Sequence, residues 1–183
     1  MRHQLLLATI GALSLSMASP ALSSCRCIGK PIDSCVAGTW SMDAGALSQI
    51  TDQLLKDMPG RIEWRSGKVM MQLKPGGDYA NQLNDIEAAM SAEGGIGMGM
   101  EVSGGTQGTY CADAGRMCFQ ESSNSLKMVM TVTGTNQQMA LPIGQATNTQ
   151  AVDIDYTCSS SQLTIRLQEP VSGLDASFDL GRQ

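Results

Sequence analysis

Thioethers and thiols dominate the reactive inventory of this 183-residue chain, which holds 13 methionines, six cysteines and one histidine. Met98 with Met100, and Met128 with Met130, form two Met-x-Met pairs. Alternate residues of a strand share a face, so each pair would set two sulfurs side by side. Soft thioether sulfur suits Cu(I). The same side chain also fills irregular cores and lines adaptable apolar pockets. Both pairs fall in core phase without a histidine to help, so packing or pocket lining takes precedence over copper. No resident metal or cofactor is expected. Met98, Met100, Met128 and Met130, together with Trp40, are the candidate lining of an apolar ligand site.

The thiols raise the question of compartment. Arg2, an apolar run from Leu5 to Met17 and the small-residue exit Ser19-Pro20-Ala21 make a secretory signal, too short for a membrane span. Cleavage after Ala21 removes His3, the chain's histidine, and moves the formal net charge from −5 to −6. A second reading starts the mature chain later. Leu22-Ser23-Ser24-Cys25 fits the bacterial lipoprotein pattern, with Cys25 the lipidation candidate and residues 1–24 removed. Lipidation would leave five thiols, an odd number, which tilts the balance slightly toward the unlipidated form. Either way the protein is expected to be exported: periplasmic or secreted, or anchored at the outer membrane through a lipid.

In such a compartment cysteines pair by default, and six of them allow 15 pairings. A two-residue turn at Ala114-Gly115 would set Asp113 opposite Arg116 and Cys111 opposite Cys118, which favours a Cys111–Cys118 bridge. Opposed Cβ atoms lie ~4.5–5.5 Å apart against the ~3.8 Å of a disulfide, so local adjustment is required. Cys25-Arg26-Cys27 lacks the two-residue spacing of disulfide oxidoreductases.

Other chemistry finds little footing. No Gly-x-Ser-x-Gly is present, and no histidine remains to activate a serine or cysteine. Glycines between Gly94 and Gly99 run into a strand pattern instead of opening a helix, so they do not cradle phosphate. Asp153 and Asp155 point the same way from one strand and could join a Ca²⁺ site. The more economical role is to keep an outer face soluble. An acidic chain without clustered Lys and Arg is no nucleic-acid binder. These readings argue against an enzyme and assign no catalytic residue.

The elements that must position these residues follow from periodicity. An irregular leader spans residues 22–37, and a single domain spans 38–183. Val36 to Met42 predicts a first strand. Ala46, Leu47, Ile50, Leu54, Leu55 and Met58 recur at helical spacing after a cap at Ser41 or Asp43, and Pro59-Gly60 ends the run. Arg61–Arg65 and Lys68–Lys74 predict paired strands around Ser66-Gly67. Tyr79, Leu83, Ile86, Ala89 and Met90 predict a second helix. From Ile96 onward the period is two, through Met98–Val102, Thr106–Ala112, Met117–Glu121, Leu126–Val132, Val152–Cys158 and Leu163–Leu167. An edge strand near Met139–Ile143 tolerates Pro142. One-sided alternation implies antiparallel sheet, and eight or more short strands favour closure, which removes edges. The expected fold is mainly β with two helices (α+β), an antiparallel closed or nearly closed barrel.

Gly38-Thr39-Trp40 resembles the Gly-x-Trp signature that opens lipocalin-like (calycin-type) barrels. The resemblance implies a basic residue from a late strand packed across the tryptophan, and Arg166 is the candidate. Tyr156-Thr157-Cys158, followed by Leu163-Thr164-Ile165, resembles the end of small bacterial exported proteins of this kind. There the resemblance implies a Cys35–Cys158 bridge. It also implies a barrel that holds a ligand or partner. The expectation is therefore a non-enzymatic exported barrel binding a small apolar molecule in its interior. The alternative is an envelope-associated structural or inhibitor-like module with a filled core, whose partner is an envelope protein.

Overall fold

Alternation of apolar and polar residues builds ten antiparallel strands among the described residues. The computed structural model describes residue 25 and residues 27–48, 61–91, 97–135, 137–142, 151–169 and 174–183. The strands are β1 (Gly38–Asp43), β2 (Arg61–Leu73), β3 (Asp78–Ser91), β4 (Gly97–Asp113) and β5 (Arg116–Asn124). They continue as β6 (Lys127–Val132), β7 (Gln138–Pro142), β8 (Val152–Cys158), β9 (Gln162–Glu169) and β10 (Leu174–Arg182). Eight of them close into a barrel in the order β1-β2-β3-β4-β5-β8-β9-β10, with β10 pairing back onto β1.

The barrel is only half of the sheet. β2 pairs with β3 along its whole length, but only its Lys68–Leu73 half also pairs with β1. One edge of β4 follows β3 along nearly its whole length. Its other edge pairs with β6 over Met98–Ser103 and with β5 over Thr106–Asp113. β7 then adds to β6. The upper ends of β2, β3 and β4, joined by β6 and β7, thus form a five-stranded extension rising from the barrel.

A line of irregularities separates the two halves. Register shifts between Trp64 and Lys68 in β2 face a shift between Leu83 and Ile86 in β3. Gly67 (φ +103°) lies against the Asp85–Ile86 backbone, where any side chain would collide. Asp85 itself has φ +47°. In β4, Gly104 (φ +102°) lies against the carbonyl of Ser125, at the break between β5 and β6. Ser125 bridges the break through its N–H to the Gly105 carbonyl (2.8 Å), while its Oγ accepts from the Gly105 N–H (3.1 Å). Bulges of this kind bend strands and locally interrupt the ladder.

This line also explains the main departure from the sequence reading. The second expected helix is strand β3, and one short helix, α1 (residues 44–48), is present among the described residues. Tyr79 and Leu83 alternate inward before the bulge, and Ile86, Ala88 and Met90 after it. An extra residue between two period-two runs mimics helical spacing. α1 is capped by Asp43, whose Oδ1 accepts from the Ala46 N–H (3.0 Å). Its expected continuation to Met58 lies outside the described residues, as do the signal segment and its cleavage sites.

Two apolar clusters result. The barrel core comprises Val36, Trp40, Leu73, Tyr79, Tyr110, Met117, Ile154, Tyr156, Leu163, Ile165 and Leu180, among others. The second cluster lies on the extension: Ile86, Ala88, Met100 and Val102 are buried, with Leu47 of α1 and Ile62, Trp64, Met90 and Met128 packed against them.

Candidate functional site

Trp40 does not line a ligand space with the methionines. It is fully buried in the barrel core, where its Nε1 donates to the Val36 carbonyl (2.8 Å). A guanidinium does lie across its ring, but it belongs to Arg182 of β10, 4.4 Å from the ring centroid. Arg182 Nη2 also donates to the Cys35 carbonyl (2.6 Å), which pins the strand end. Arg166, the candidate for this role, is exposed on β9 opposite Asp155 and Ser177. Its period-two phase is opposite to that of buried Leu163 and Ile165, which is why it cannot reach the ring.

The four methionines instead meet on the extension. Register aligns Met90, Met98 and Val132 in one row, and Ala88, Met100, Met130 and Met139 in the next. A third row is Ile86, Val102 and Met128. Exposure rises across the sheet. Met100 is 6% exposed, Met98, Met128 and Met130 are part-buried, and Met139 on β7 is 61% exposed. Trp40 belongs to the barrel core, whereas Met100 and Met128 belong to the cluster on the extension.

The disulfides fasten the leader to the barrel. Cys25 pairs with Cys118, Cys27 with Cys111, and Cys35 with Cys158. The last pairing is the one implied by the family resemblance. Cys111 and Cys118 do stand directly opposite across the expected Ala114-Gly115 turn. They are not joined to each other, because each reaches outward to a leader cysteine. With a single residue between Cys25 and Cys27, one stretch of chain meets both. A sulfur committed to Cys118 is not free to carry a lipid thioether, so this pairing opposes Cys25 as a lipid anchor. The leader adds polar ties: the Asp33 N–H donates to the Ala112 carbonyl (2.9 Å), and Tyr156 Oη donates to Asp33 Oδ2 (2.9 Å).

Asp153 and Asp155 grip one cation, Arg116, through its Nη2 (2.8 Å) and Nη1 (2.7 Å). Their hydrogen bonds raise the arginine pKa. This fork locks β5 to β8 and occupies the carboxylates that a metal would need. Three tyrosines have raised pKa values, chiefly because burial disfavours the phenolate. Tyr110 and Tyr156 are pushed up to about 12, the latter also through its hydrogen bond to Asp33. Tyr79 is raised by burial and by Glu121, against a hydrogen bond with Thr106 that lowers it.

Sequence reasoning passed over one feature. A cleft of about 600 Å³ opens at the line between barrel and extension, where Asn81, Gln82, Thr106, Gln107 and Ser123 are among its lining residues. Asn81 Nδ2 donates to Thr106 Oγ1 (3.2 Å), yet Asn81 Oδ1 is buried without a partner. The available signal was Gly104-Gly105 in the middle of a strand pattern, followed by polar Thr106 and Gln107.

No family model, curated protein or solved structure matches this chain. The fold defines its class: a closed eight-stranded antiparallel barrel with an open sheet extension and a leader held by three disulfides.

Proposed function

We propose that the protein is an exported, non-enzymatic, lipocalin-like barrel that binds a small apolar ligand on the methionine-rich face of its extension. The carrying observation is the row Ala88–Met100–Met130–Met139, which passes from buried to 61% exposed across the sheet. Flexible thioether side chains adapt to varied apolar shapes. An exposed apolar patch on a soluble fold is a recognised mark of interaction. The lipocalin-like reading is supported by barrel closure and by Arg182 from the last strand across Trp40 of the first. Three disulfides fit an oxidising, exported setting.

The large apolar side chains gathered in the barrel core support a second reading, in which the same face docks an envelope protein. Titration with the neutral dye N-phenyl-1-naphthylamine separates the two. Saturable fluorescence enhancement is expected, weakened about tenfold when Met98 and Met130 both become glutamate. Absence of saturable binding by the oxidised protein would reject the small-ligand reading and leave the protein-docking one.

A further inference from the structure

We propose that the cleft between barrel and extension is a second binding site, for a neutral polyhydroxylated ligand of the saccharide class. The ligand chemistry follows from the lining. The exposed side chains Gln82, Asn84, Ser103, Gln107 and Ser123 offer amides and hydroxyls, which between them donate and accept hydrogen bonds. Sugar hydroxyls do both as well. No lysine, arginine or histidine lines the cleft, so a phosphate or other anion has no counter-charge there. Asp85 is the one carboxylate in the lining, too few for a divalent cation that takes six to eight oxygens, several of them charged. Ala80 and Leu83 are the apolar side chains of the lining, so the apolar ligand proposed for the methionine face has little to bury here.

A further observation points to this site: the backbone around the cleft is irregular. Asp85 holds φ +47°, Gly104 holds φ +102°, and the registers of β2, β3 and β5 slip nearby. Bulges and positive-φ residues sacrifice ladder bonds to re-aim side chains, and they concentrate at binding sites. The volume of about 600 Å³ lies inside the ~300–1,000 Å³ range of small-ligand sites.

Amide chemical-shift mapping of the oxidised protein with cellotetraose, maltotetraose and chitotetraose, each at about 10 mM, tests the proposal at millimolar affinity. Saturable shifts are expected for Asn81–Leu83, Gly104–Gln107 and Ser123 with at least one sugar. Gln82 and Gln107 are exposed, so Q82A/Q107A should fold normally and weaken binding about tenfold. The proposal is overturned if none of the three sugars shifts these amides. It is equally overturned if inorganic phosphate or Ca²⁺ shifts them and the sugars do not, or if Q82A/Q107A binds as tightly as the parent.

Discussion

The lower and upper halves of β2, β3 and β4 are parts of the same strands, yet they serve opposite ends. Below the line of bulges the strands close into a barrel, and the core side chains Trp40, Leu73, Met117, Leu163, Ile165 and Leu180 are almost wholly removed from water. Three disulfides, the Trp40–Arg182 stack and the Arg116 fork all belong to this half or to the leader fastened on it. Above the line the same strands carry methionines on an open sheet, and burial declines toward β7. Stability is concentrated where the sheet closes, and an adaptable apolar surface is offered where it does not. A strand need not change its partners everywhere to change its role. Two short interruptions suffice.

The largest effect should come from cutting the barrel's ties. Cys35 and Cys158 are 123 residues apart, so their bridge closes the longest of the three disulfide loops. The C35S/C158S variant should lose about 2–5 kcal/mol of stability, read from denaturant midpoints. Hydrogen exchange sharpens the comparison. In the parent, amides of Met98–Ser103 and Lys127–Val132 should exchange faster than those of Leu163–Leu167, since the open half unfolds locally at lower cost. Equal protection in both halves would break the contrast.

Alkaline pH should act next, and on the barrel alone. Tyr110 and Tyr156 belong to the barrel core, and both are raised to about 12 from the usual 10. Between pH 10 and 12 the unfolded chain therefore binds fewer protons than the folded one. Stability must fall as pH rises through this window, and the contribution is fully present below pH 10. Y156F removes one raised phenol along with its bond to Asp33, so its stability should decline less steeply above pH 10. Denaturant melts at pH 9, 10 and 11 read that slope, and an unchanged slope would remove Tyr156 from the account.

How much was legible in advance depends on which forces set each feature. Alternation around Met98–Val102, Met117–Glu121, Val152–Cys158 and Leu163–Leu167 is a local signal, and it identified strands and barrel class. A cap at Ser41 or Asp43 was equally local, and Asp43 is the residue that caps. The helical misreading of β3 arose at Asn84-Asp85, where a bulge shifts phase; only its partner Gly67 in β2 explains it. The turn at Ala114-Gly115 correctly set Cys111 opposite Cys118, but pairing is decided by where the leader lies. Likewise the Gly-x-Trp resemblance implied a cation across Trp40, but the candidate it suggested, Arg166, is not the one that lies there. Arg182 comes from β10, which pairs directly with β1. The cleft was least legible, because its lining is gathered from β3, β4, β5 and the residue that follows β5.

Met139→Lys tests the smallest stability effect and the sharpest functional one. Met139 is 61% exposed on the edge strand β7, so replacing it should change folding stability by less than about 0.5 kcal/mol. A lysine stem can still cover apolar surface while its ammonium reaches water. What it cannot do is let an apolar ligand settle over that position without desolvating the charge. Binding of N-phenyl-1-naphthylamine should therefore weaken severalfold while the melting midpoint stays fixed. The same substitution should leave sugar-induced shifts at Asn81 and Thr106 unaltered, because those residues lie below the bulges. A lysine that disturbs both sites would mean the extension and the cleft work as one surface, and the division at Gly67 and Gly104 would be structural only.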